Sequence, residues 1–133
     1  MKKQVFFATL VLIAVLFGVS SCKKSCPAPT YSLEGSWVGN YRLNLSNRDY
    51  FFAFHFKSDG NALVEGYSSA NPSIATGTWT LVGDSVKLTY TYIGTSNTFS
   101  VEAKYSSTSN TMYGTWGSGT NTTGGGTVAM AKK

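Results

Sequence analysis

From Gly35 onward the chain repeats one pattern: an apolar side chain, then a polar one, for a short run, then a turn. In the first run Trp37, Tyr41, Leu43 and Leu45 alternate with Ser36, Asn40, Arg42 and Asn44. A period of two marks a strand with one buried face. The pattern returns over 49–57, where Phe52, Phe54 and Phe56 share a face and His55 lies on the other. It continues through 62–68 and 74–82, the latter with Gly77, Trp79 and Leu81 expected inward and Thr76, Thr78 and Thr80 outward. The cleanest alternation is in 85–93 and 98–105; shorter runs at 111–117 and 127–131 close the series. Between them stand turn residues: Asp59-Gly60, Gly83-Asp84, 94–97, and a glycine-rich stretch at 117–126. No segment carries the i, i+3, i+4 spacing of an amphipathic helix. About eight short strands joined by short turns predict an all-β fold, an antiparallel up-and-down barrel over 35–133. Closing the sheet removes the edges that a flat one would expose.

The first quarter of the chain reads differently. Met1-Lys2-Lys3 precedes an uncharged apolar run over 5–17, a basic start and hydrophobic core that describe a secretory signal. That run ends in Val19-Ser20-Ser21-Cys22, which resembles the lipobox of bacterial lipoproteins. The resemblance implies cleavage after residue 21 and acylation of Cys22, so that residues 1–21 are a signal peptide and the bilayer is a partner through the lipid. Each buried acyl methylene contributes about 0.8 kcal/mol, so several chains on one cysteine anchor a small domain durably. Residues 22–34 then form a proline-bearing tether, and no later apolar run is long enough to span a membrane. Lys23 after the cysteine, where a retained protein would carry aspartate, resembles an outer-membrane sorting signal and implies a cell-envelope location. Cys26, the other cysteine, is then without a partner in the chain. Ordinary signal cleavage, without acylation of Cys22, would instead allow a Cys22–Cys26 loop.

Charge narrows the function classes. The formal net charge is +5, and removal of the leader takes Lys2 and Lys3 from it. The remaining basic residues are scattered, which argues against nucleic acid. His55 is the single histidine, and no serine or cysteine stands at a nucleophile-motif spacing from it. No metal-ligand spacing occurs, and no cofactor motif, so a non-enzymatic protein is expected. The glycine-rich stretch lacks the strand and helix context of a phosphate cradle and reads as a mobile hairpin loop. Asp84-Ser85-Val86 resembles the acceptor triplet of a bacterial O-glycosylation system.

What remains is an aromatic lining. Tyr41, Phe52, Phe54, Phe56, Trp79, Tyr90, Tyr92, Phe99, Tyr105 and Trp116 all fall on the predicted inner face. Nine of them, all but Phe56, are the candidate ligand-binding set. Buried tyrosines need partners for their hydroxyls, and an apolar cavity with a few polar handles is the usual form of a small-molecule site. Gly35-Ser36-Trp37 at the head of the first strand resembles the G-x-W signature of lipocalins, and it is echoed by Gly77-Thr78-Trp79 and Gly114-Thr115-Trp116. With the Asp-Gly hairpin these triplets are similar to small bacterial lipocalin-like lipoproteins and, more loosely, to avidins. The resemblance implies that Trp37 plugs one end of the barrel. Lipocalins usually pack an arginine near the last strand over that tryptophan; here only Lys132 and Lys133 stand nearby.

Two functions therefore compete. One is a membrane-anchored barrel holding a small apolar or aromatic molecule, its mouth formed by the loops 46–48, 69–73, 94–97 and 118–126. The other is a packed barrel serving as an envelope interaction or structural protein through outward residues such as Val38, Phe51, Leu63, Tyr67 and Tyr113. Its protein partner is not identifiable from the sequence. A void of roughly 300 Å³ or more, open at one end, favours the first.

Overall fold

The computed structural model describes residues 32–66 and 73–133. The leader, Cys22, Cys26, the tether up to residue 31, Tyr67 and the 69–72 part of one loop lie outside the described residues. Eight strands run in order: β1 Gly35–Leu43, β2 Asp49–Phe56, β3 Asn61–Gly66, β4 Ser73–Val82, β5 Ser85–Tyr92, β6 Thr98–Ser106, β7 Thr111–Ser118 and β8 Gly126–Lys132. Each pairs antiparallel with the next, and β8 returns to β1 in the register Trp37↔Lys132 to Leu43↔Gly126, closing the barrel. The up-and-down antiparallel barrel is therefore the fold of this chain.

Alternation fixes which face is inside. On β2 Phe52, Phe54 and Phe56 are buried, as are Val86, Leu88 and Tyr90 on β5 and Val101 and Ala103 on β6. Two apolar residues expected on buried faces are not. Leu81 keeps the inward phase of β4, but β3 pairs with β4 only as far as Asn61↔Thr78. Past that point β4 overhangs the core, and Leu81 and Val82 are exposed. β1 ends at Leu43, so Leu45 sits in the turn beyond it, fully open to solvent.

The repeated Gly-x-Trp triplets have a steric basis in the second and third copies. A Cβ at Gly77 would lie 2.1 Å from the Thr89 carbonyl oxygen, and one at Gly114 would lie 2.0 Å from that of Glu102. At both places the adjacent strand crosses where an inward side chain would otherwise stand, as a sheet bent into a tight cylinder requires.

Topology then assigns the loops. In a meander, alternate turns share an end, so the turns after β1, β3, β5 and β7 gather at one end, the mouth. The turns after β2, β4 and β6 gather at the other, where the described chain also begins and finishes.

Candidate functional site

The closed end is packed solid. Trp37 is completely buried, donates its indole N–H to the Leu33 carbonyl at 2.8 Å, and meets Tyr105 edge-on at 5.6 Å. Leu33, just before β1, is itself buried and folds over this end. Lys132 lies in register with Trp37, passes over Gly35 and donates to the Ser32 carbonyl, strapping the incoming chain. A lysine thus lies over the tryptophan-bearing strand where the lipocalin resemblance implies an arginine. Phe56 and Trp79 pack beside it at 5.2 Å, and the Trp79 N–H donates to the Lys57 carbonyl in the β2–β3 turn.

The mouth half is built otherwise. Tyr41, Phe52, Tyr90, Phe99 and Trp116 form a closed circuit of rings, with successive centroids 5.1, 5.9, 5.8, 5.9 and 5.8 Å apart. Five strands contribute, one ring each, so the collar runs around the inside of the barrel rather than down one wall. Most contacts are edge-to-face, the arrangement that aromatic quadrupoles favour. Inside and above the collar is a cavity of about 270 Å³, lined by these five rings together with Tyr92, Leu43 and Ser73. Phe54 lies beneath, 4.8 Å from Phe52, and begins the filled half.

Polar groups in this lining are few and uncharged. The Tyr90 and Tyr92 rings meet edge-to-face at 5.7 Å, their phenols close enough to perturb each other. Burial pushes the Tyr90 phenol far above its ordinary value, and raises Tyr92 and Tyr41 in the same direction. All three are therefore neutral at physiological pH and offer hydroxyls rather than charge. On β3 the inward position beside the collar is Gly66, where a Cβ would come within 3.0 Å of the Tyr92 hydroxyl. The absence of a side chain there leaves that phenol its place. The Trp116 indole donates to the Arg42 carbonyl at 3.3 Å, which fixes the ring against β1.

Of the nine expected binding residues, six line the cavity: Tyr41, Phe52, Tyr90, Tyr92, Phe99 and Trp116. Phe54, Trp79 and Tyr105 do not. They share the inward phase, yet they belong to the floor and the closed end, because β4 and β6 finish at that end whereas β5 and β7 finish at the mouth. The candidate binding set left out Leu43 and Ser73; Ser73 falls within the expected mouth loop 69–73, and the position of Leu43 at the tip of β1 was the available signal for the other. The glycine-rich loop, expected to be mobile, is pinned instead: Asn44 donates to the Gly124 carbonyl at 2.9 Å and Ser100 to that of Gly119 at 2.7 Å.

One cluster on the outer wall was also not anticipated. Register brings Ser36 opposite His55, with Ser36 Oγ 2.8 Å from Nδ1, while His55 Nε2 is 3.4 Å from Glu65. It joins β1, β2 and β3 on the convex face, away from the cavity. Among the described residues no group of three His, Cys, Asp or Glu side chains converges to hold a metal ion. Ser85 of the acceptor-like triplet starts β5, half-buried, and donates to Glu102 at 3.3 Å. No protein-family model, curated protein or solved structure matches this chain.

Proposed function

We propose that this protein is a non-enzymatic binding barrel that holds a small, uncharged, aromatic or otherwise apolar molecule within its mouth, anchored to the bacterial cell envelope, in the outer membrane, through acylated Cys22. The observation that carries the binding role is the collar: five rings from five strands surround a cavity of about 270 Å³ that is open at one end and floored at the other. The volume falls just below the roughly 300 Å³ at which small-molecule sites usually begin. It suits a molecule of two or three fused or linked rings. Neutral tyrosine hydroxyls supply hydrogen bonds without asking the ligand for charge, and buried polar groups of this kind discriminate strongly against ligands that leave them unpaired. The anchoring role rests on the lipobox-like Val19-Ser20-Ser21-Cys22 alone.

The test is titration of residues 32–133 with N-phenyl-1-naphthylamine, monitored by probe emission and tryptophan quenching. Saturable one-to-one binding is expected, weakened by about tenfold or more in Ser73→Trp, which fills the rim without touching the core. Trp79→Phe, at the far end, leaves the affinity unchanged. Probe binding that is absent, or equally reduced by both substitutions, overturns the reading. Mass analysis of the mature chain for a diacylated Cys22 tests the anchor separately.

A further inference from the structure

The two ends of the barrel differ in charge as sharply as they differ in packing. The described turns at the mouth, 44–48, 93–97 and 119–125, contain one charged side chain, Arg48. The turns and chain ends at the closed end carry Glu34, Lys57, Asp59, Asp84 and Lys133; the strand ends add Lys104 and Lys132 there and the Arg42–Asp49 pair at the mouth. Large apolar side chains are exposed at both ends, with Leu81 and Val82 at the closed one; those at the mouth border a cavity. Leu45 stands at the tip of the β1–β2 turn with 103% of its surface exposed, and Ile93 opens the β5–β6 turn with 66% exposed. β1 and β5 lie four strands apart in a ring of eight, so these two residues flank the mouth from opposite sides. Half-exposed Leu43 joins the rim to the cavity lining. Solvated turns ordinarily carry polar residues, and isolated apolar ones need no explanation. Apolar side chains on opposite lips of an apolar cavity do.

Arg48 completes the argument. It has no ion-pair partner among the described residues, whereas neighbouring Arg42 is held by Asp49 at 2.7 Å. Arg48 lines an open groove of about 370 Å³ at the start of β2 with Asp49, Tyr50 and Phe51. A cation next to apolar tips is the combination that inserts into a bilayer surface, the tips entering the acyl boundary and the cation meeting anionic headgroups.

We infer that the mouth of the barrel docks on an anionic lipid surface, Leu45 and Ile93 inserting and Arg48 contacting a headgroup phosphate. An apolar molecule then passes between the hydrocarbon and the cavity without crossing water; that consequence rests on the binding role proposed above, but the docking does not. A chain anchored at Cys22 has the reach for it. Residues 23–31 span at most about 30 Å when extended, as much as a nine-residue strand such as β1 before its tilt in the barrel.

Residues 32–133 close on themselves and contain the core of the described residues, Leu33 to Met130, so this segment can be measured without the N-terminal apolar run and the acyl chains. The experiment is co-sedimentation of the ligand-free segment with vesicles of phosphatidylcholine and phosphatidylglycerol, three to one. Binding is expected, with a loss of about tenfold or more in Leu45→Glu/Ile93→Glu. Arg48→Gln is expected to remove most of the dependence on salt and on phosphatidylglycerol, whereas Val82→Glu, exposed at the closed end, changes nothing. Thermal unfolding checks that these exposed substitutions leave the fold intact. No binding by the unaltered segment overturns the inference, as does an equal loss in Val82→Glu. Self-association that disappears in the Leu45→Glu/Ile93→Glu variant also overturns it, in favour of a contact between copies. The vesicle assay contains no ligand and the probe titration no vesicles, so either proposal can fail while the other stands.

Discussion

Trp37 shows how much one side chain settles here. It is completely buried, and its single polar atom is satisfied by the Leu33 carbonyl, which ties the segment before β1 onto the end of the barrel. Trp37→Phe leaves that buried carbonyl without a donor and shrinks the plug, at a cost of about 2–4 kcal/mol. Urea unfolding monitored by circular dichroism reads the loss. The tyrosines make a second prediction. Burial holds the phenols of Tyr90, Tyr92 and Tyr41 above the ordinary value of 10.0, so the folded chain keeps these protons more tightly than the unfolded one. Their contribution is complete below pH 10 and is lost as pH rises through the folded values. Tyrosinate absorbance recorded with unfolding curves above pH 10 is expected to show stability falling with pH, and a flat profile contradicts it. The sequence displayed these rings plainly, since inward phase requires only counting by two. It did not display the Ser36–His55–Glu65 cluster, because its members are brought together by cross-strand register, and no local spacing records that.

At the scale of elements, the three triplets separate by how closely the neighbouring strand approaches their glycine. Gly77 and Gly114 sit where that strand's backbone passes within about 2 Å of a would-be Cβ, whereas Gly35 opens β1 with a φ of +111° and ample room. Gly114→Ala must therefore push β6 and β7 apart, and a destabilisation of about 3 kcal/mol is expected. The same substitution at Thr115, one residue on, changes stability by far less. Differential scanning calorimetry of the pair decides. The triplets look alike in sequence, yet Trp37 and Trp79 stand at the closed end and Trp116 at the mouth. Strand direction separates them: β1 rises from the closed end, β4 descends to it, and β7 rises to the mouth. A binding site read from inward aromatics alone necessarily mixes the two ends, which is why Phe54, Trp79 and Tyr105 fall in with residues that line the cavity.

For the whole molecule, closure is the step on which both ends depend. β1 is held by β2 on one side and by β8 on the other, along seven paired positions from Trp37↔Lys132 to Leu43↔Gly126. A chain ending at residue 125 exposes two sheet edges, on β1 and β7, and removes Val128 and Met130 from the core. It is expected to aggregate or remain unfolded, with loss of the strand signal in circular dichroism and a shift to large species in size-exclusion chromatography. A soluble, folded product of that length contradicts a barrel whose last strand is structural. Closure also makes the interior finite. Rings filling the lower half leave a cavity in the upper half, so packed core and cavity occupy different heights of one cylinder.

The amino-acid sequence by itself determined the strands, their number and the face each buries, because alternation and turn chemistry are local properties of the chain. It also marked an apolar N-terminal run and a lipobox-like segment, which are compositional. Tertiary structure alone decided which rings meet. Centroid distances within a collar depend on register, strand tilt and the end at which each strand stops, and those are set by pairing between residues far apart in sequence. The gathering of Leu43, Leu45, Ile93 and Arg48 about one opening was settled the same way, since a turn does not carry in its own residues the end of the barrel to which it belongs.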